Sequence, residues 1–203
     1  KRVFAVLLGM VLFGAPAQAQ PQQNDVEAAA ALLGEGHPDQ ALALVNPIIE
    51  KALLGDAKDT DAMCPGAAAA ALQSFMGGGL TVSVENDWCD AMLIKGYALN
   101  ELKRPAEAAQ MLETLVCYTP DNAHYLVEYA FTLRAIGDLK QALDIYKKAE
   151  KVASRNKDGA MALHWRAVAL RGQGYIYIDQ ERWDDATKAY QRSLKYEPES
   201  EIA

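Results

Sequence analysis

The sequence predicts an all-α protein: helix hairpins stacked into a right-handed solenoid, with one irregular insertion. Three observations predict it. About half of the 203 residues are hydrophobic and Ala is abundant, while only 8% are aromatic, a mix suited to helix backbones packed closely on one another. The stretch RWDDATKAYQRSLKYEP (182–198) aligns with DLKQALDIYKKAEKVAS (138–154) at a shift of 44 residues. That stretch in turn aligns with RPAEAAQMLETLVCYTP (104–120) at a shift of 34. Within the alignment the coinciding residues are the ones packing cares about, small residues and large apolar ones on a shared helix face.

Ala108, Ala142 and Ala186 coincide, as do Leu112, Tyr146 and Tyr190 one helical turn on, and Pro120 and Pro198 at the end. Working backwards, Gly96, Ala130 and Gly174 coincide, and so do Leu99, Leu133 and Tyr177. Each unit therefore reads as two helices joined by a short turn (ELKRP, AIGDL, DQERW), each helix carrying a small residue where its partner presses close. A 34-residue period with small, small, aromatic and terminal Pro slots resembles the tetratricopeptide repeat. The resemblance covers 89–122, 123–156 and 167–200. It implies stacking and a concave face, and it is silent on the ligand.

Taken in order, residues 1–19 come first. Lys1 and Arg2 precede an apolar run from Val3 to Gly14, and Ala17-Gln18-Ala19 supplies small residues for cleavage. This is the three-part pattern of a secretory signal peptide. The run falls short of the roughly 20 residues a membrane-spanning helix needs. A mature chain starting at Gln20, without a stable membrane span, is expected, in the bacterial periplasm or secreted. Next, about 21–55, comes a degenerate copy with Ala29, Leu32, Gly36, Ala41, Val45 and Ile48 in the matching slots. Pro47 falls inside its second helix, where a kink is expected. Residues 56–88 form the irregular insertion: a short helix after Pro65 stopped by Gly77-Gly78-Gly79, then Asn86 or Asp87 as cap for the following helix. The segment 157–166 extends the first helix of the last copy by two to three turns. A capping helix is expected beyond Ser200, so the natural protein is expected to continue past Ala203.

The charge balance is acidic, net −7. Without basic clusters this argues against a nucleic-acid partner, which needs Lys and Arg for phosphate. Nothing suggests a cofactor, a metal or a catalytic apparatus. The histidines, His37, His124 and His164, are far apart and read as surface or helix-start residues. No phosphate-binding glycine loop, nucleophile elbow or zinc-binding motif is present. The cysteines, Cys64, Cys89 and Cys117, lie 25 and 28 residues apart, which matches no metal motif. In an exported chain they are disulfide candidates. Cys89 starts one helix and Cys117 ends its antiparallel partner, so those two can pair. Cys64 with Cys89, or free thiols, are the alternatives, and one cysteine is left over in any pairing.

The resemblance implies that first helices line a groove for a protein or peptide partner. Its groove slots fall on Tyr97, Phe131 and Tyr175, and three residues later on Asn100, Arg134 and Ile178, with Arg171 and Asp179 close by. Aromatics and Arg are good interface anchors. One branch of the family clamps a C-terminal carboxylate with Lys and Asn; the slots at Leu93, Val127, Tyr97 and Phe131 hold neither, which argues against that use. The expected function is a non-catalytic protein-binding scaffold. The alternative is a structural module, a possible homo-oligomer, that uses the repeat ends or the 56–88 insertion. A third reading, a redox role for the unpaired cysteine, requires an exposed thiol of low pKa.

Overall fold

The computed structural model describes residues 22–54, 87–155 and 159–200; the candidate signal peptide, Cys64 and the insertion up to Asn86 lie outside them. Among the described residues the secondary structure is entirely helical. The helices are α1 (Gln22–Gly34), α2 (Pro38–Leu54), α3 (Asp87–Glu101), α4 (Pro105–Tyr118), α5 (Ala123–Ala135), α6 (Leu139–Ala153), α7 (Ala160–Asp179) and α8 (Trp183–Ser193). They pair as four hairpins, α1/α2, α3/α4, α5/α6 and α7/α8, and each hairpin packs on the next.

The same turn recurs in every hairpin. Gly36, Lys103, Gly137 and Glu181 all adopt positive φ, at 81°, 61°, 87° and 58°. In each case the following amide reaches back five residues: His37 to Leu32, Arg104 to Leu99, Asp138 to Leu133 and Arg182 to Tyr177, at 2.8–3.0 Å. That is the Schellman closure of a helix C-terminus, which satisfies carbonyls left without helical partners. The degenerate first copy shares it, so its repeat character is structural. Asp138, just past the α5/α6 turn, and Asn122, between α4 and α5, cap the next helix by accepting from the amides of Gln141 and Tyr125. Pro105 occupies the first position of α4, where its missing N–H costs nothing. Pro47 lies inside α2, which runs on to Leu54 as one element.

The small-residue slots have a steric cause. A Cβ on Gly96 would lie 2.8 Å from Leu112, and one on Gly174 would lie 2.8 Å from Tyr190. Gly96 and Gly174 share one slot of the sequence alignment, and Leu112 and Tyr190 share another. Gly172 is tighter still: a Cβ there would meet the Tyr146 ring at 2.2 Å, so α6 and α7 of neighbouring hairpins approach through that glycine. The buried residues form one continuous core, from Val26 and Ala29 in α1 to Ile176 in α7.

Two expectations need correction. Cys117 is an exposed free thiol, whereas Cys89 is disulfide-bonded, so Cys89 does not pair with Cys117. The outward position of Cys117 on the last turn of α4 turns its sulfur from the hairpin seam to solvent. The second correction concerns the end of the last repeat. α8 stops at Ser193 and not at Pro198. Tighter bonds follow, Lys195 to Arg192 and Tyr196 to Ser193, and the chain folds back over α7. There Glu197 accepts a hydrogen bond from Arg171 at 2.6 Å and pairs with His164, while Arg166 stacks on Tyr196 at 4.4 Å.

Candidate functional site

Each hairpin packs on the next mainly through its second helix, α2 on α3, α4 on α5 and α6 on α7; within a layer, first helices also meet, α1 on α3 and α5 on α7, and α3 touches α5 through side chains. In a curved stack the layer whose helices approach one another is the inner one. The inner layer is therefore α1, α3, α5 and α7, the layer on which the expected groove residues sit.

Those residues divide into two groups. At one end of the α5/α7 surface, Phe131 is 51% exposed, and Tyr175 and Ile178 are each 37% exposed. Beside them Arg134 makes two hydrogen bonds to Asp179, at 2.6 and 3.0 Å, and its guanidinium lies 5.4 Å from the centre of the Tyr175 ring. The guanidinium bonds hold the Asp179 carboxyl below its usual range. Tyr175 is backed by Tyr190 in an edge-to-face contact at 5.9 Å, so the ring is held in place. Here sequence-predicted residues come together: Arg134, Tyr175 and Asp179 form one cluster.

The others are used differently. Asn100 donates to the Thr132 hydroxyl at 2.8 Å and ties α3 to α5. Arg171 is only 8% exposed and is committed to Glu197, so it closes the last hairpin and offers no open anchor. Tyr97 is half-buried and pairs with His124 at 3.2 Å.

Tyr97 leads to a second cluster, nearer the starts of α5 and α7, which sequence reasoning passed over. The His124 ring stacks on Trp165 with centroids 4.0 Å apart and planes 13° from parallel. Its Nε2 lies 3.7 Å from the Glu128 carboxylate, a pair four residues apart along α5. The adjacent Tyr125 hydroxyl donates to Asp90 of α3 at 3.0 Å. Burial, helped by the charge of His164, pushes the His124 pKa down to about 4, so the imidazole is neutral at pH 7. Burial pushes the Glu128 carboxyl up, against the opposing hydrogen bond from Tyr97, and the Tyr97 hydroxyl is itself raised by burial and by Glu128. A neutral His124 with its proton on Nε2 donates to Tyr97, leaving the Tyr97 hydroxyl to donate to Glu128. The spacing of His124 and Glu128 was visible in the sequence. Trp165 was hidden because it precedes the repeat frame, on the extra turns of α7. No group of His, Cys, Asp and Glu among the described residues is placed to hold a metal ion. No helix among them is long and apolar enough to cross a membrane.

Comparison with known proteins places this fold. Residues 161–200 match the family model described as tetratricopeptide repeat. No curated protein matches the chain by sequence. Among solved structures, the nearly identical TPR-like repeats of a Podospora anserina kinesin light chain superpose with a TM-score of 0.58 at 13% identity, covering 88% of this chain and 76% of that one. YrrB, described as a TPR protein with an unusual peptide-binding site, gives 0.48 at 17% identity, over 90% and 89% of the two chains. MamA from Desulfovibrio magneticus RS-1 gives 0.46 at 16% identity, over 91% and 99%. The first of these shows the shared fold; the other two are looser likenesses. Residues 161–200 thus carry the tetratricopeptide-repeat pattern, and the chain shares the fold of solved tetratricopeptide-repeat-like structures.

Proposed function

We propose that the protein is a non-catalytic scaffold that holds a segment of a partner protein against its inner helix layer. The observation that carries this reading is the exposure of Phe131, Tyr175 and Ile178 on that layer, beside a fixed Arg134–Asp179 pair. Exposed aromatics next to a pre-oriented guanidinium lose little side-chain entropy on binding, which is why such residues dominate interfaces. Apolar exposure is not confined to this layer, since Leu53 on α2, Tyr118 on α4 and Trp183 on α8 are exposed too; the Arg134–Asp179 pair beside Tyr175 is what singles out the inner layer for this reading.

The test is a crosslinking pull-down from the native cell with wild type and the Tyr97→Ala/Phe131→Ala/Tyr175→Ala variant. A partner captured by wild type and lost by the variant, at unchanged helical content by circular dichroism, is the expected result. A partner retained equally by both would move the site off the inner layer. The export signal at 1–19 belongs to the same proposal: the scaffold serves an exported compartment, and terminal sequencing of the native protein is expected to begin at Gln20.

A further inference from the structure

Carboxylates on the inner layer and on the segment folded over α7 differ in their partners. Asp179 carries Arg134 at 2.6 Å, and Glu197 carries Arg171 at 2.6 Å. Glu128 has no Lys or Arg partner among the described residues; the base beside it is His124 at 3.7 Å. That imidazole is sandwiched by geometry: stacked on Trp165, bonded to Tyr97, and with a side chain only 29% exposed. The Glu128 side chain is 19% exposed, so the carboxylate has given up much of its hydration without gaining a counter-charge. A half-buried, uncompensated anion is costly by itself, and a cation arriving beside it recovers that cost. Its surroundings suit a cation: Tyr97 is in hydrogen-bond contact with it, the Trp165 and Tyr125 rings flank the His124 ring next to it, and positive groups are attracted to electron-rich aromatic faces.

We propose that Glu128, with Tyr97 and Trp165 as walls, receives the charged head of a Lys or Arg side chain from the bound partner peptide. This rests on the inner-layer reading above and sharpens it, giving the partner a chemistry: a basic side chain close to apolar ones. The basic head docks at Glu128, and the apolar neighbours dock at Phe131 and Tyr175, one turn along α5 and on the facing part of α7. The acidic charge of the whole chain, net −7, favours encounter with such a segment. An acidic peptide is disfavoured at Glu128 by like charge.

The test is selection of a displayed random-peptide library on the full chain in three forms: wild type, Glu128→Gln, and Phe131→Ala/Tyr175→Ala. Circular dichroism and the melting temperature confirm that each is folded; Glu128→Gln, which removes a poorly hydrated charge, is expected to melt no lower than wild type. Wild type is expected to enrich peptides with Lys or Arg beside apolar residues, and Glu128→Gln to lose the basic preference. A selected peptide should bind Glu128→Gln about tenfold or more weakly, while its Lys→norleucine form binds both alike. Enrichment of neutral or acidic peptides, or basic peptides indifferent to Glu128→Gln, would overturn the cation site while leaving the inner-layer reading intact. Peptides lost on Glu128→Gln but kept on Phe131→Ala/Tyr175→Ala would uphold the cation site and overturn the apolar one. Absence of any enrichment would overturn both.

Discussion

Residues at one slot of the turn decide how each hairpin closes. Gly36 and Gly137 meet the left-handed backbone without a Cβ, whereas Lys103 and Glu181 hold the same conformation with one. A side chain there costs energy that glycine does not. Glu181→Gly and Lys103→Gly are each expected to stabilise the protein by about 0.5–1 kcal/mol, and Gly137→Ala to destabilise it by about 1 kcal/mol. Denaturant titration reads all three, and a Gly137→Ala variant as stable as wild type would contradict the assignment. Gly172→Ala should be far worse, because the added methyl runs into the Tyr146 ring. The His124 ring gives a pH-dependent term. Its folded pKa, about 4, lies below its ordinary value of about 6.5, so the unfolded chain binds the extra proton between those limits. Stability from this group is therefore full above pH 6.5 and falls as the pH drops towards 4. Comparing wild type with His124→Gln at pH 7 and pH 4.5 should isolate a loss of about 2 kcal/mol, discounted for the part of the ring in water. Equal pH profiles for the two would remove His124 from this role.

At the scale of elements, the hairpins were legible because their determinants are local and periodic. Gly96 and Gly174 were readable as small slots where a partner helix presses close; that the groups pressing there are the large side chains Leu112 and Tyr190 comes from the structure. The end of the last unit was not legible. Pro198 suggested where α8 stops, but the stop is set by residues remote in sequence: Arg171 and His164 draw Glu197 back onto α7. Arg171 looked like a groove anchor by its slot alone; what buries it is a partner 26 residues away. Arg171→Ala should therefore loosen residues 194–200 and cost about 1–2 kcal/mol, read as faster amide exchange at Tyr196 and Glu197 while α5 and α6 keep their protection. Uniform loss of protection along the chain would contradict a local latch. The cysteines illustrate the same limit, since two pairings satisfied the spacing. Native thiol labelling should modify Cys117 and spare Cys89 until reductant is added. Labelling of Cys89 without reductant would contradict its bonded state.

Across the described residues, each hairpin packs on its neighbours, so the binding face follows from repetition. Repetition placed Phe131, Arg134 and Tyr175 on one layer and made that much of the candidate site readable in advance. The Tyr97–His124–Glu128–Trp165 cluster was not readable as a unit, since it draws on three hairpins and on turns of α7 outside the repeat frame. The second layer ends in a mostly polar helix face: α8 buries Ala186, Ala189 and Ser193 and turns Asp184, Lys188 and Gln191 outward, with Trp183 exposed at its start. The contrast between that outer face and the inner layer is the core of the functional account. A photo-crosslinking amino acid placed at Phe131, and in a parallel variant at Lys188, tests it most directly in the native cell. A partner crosslinked from position 131, weakened when Tyr175→Ala is added and absent from position 188, is the predicted result. Equal crosslinking from both positions, or crosslinking from 188 alone, would contradict binding on the inner layer.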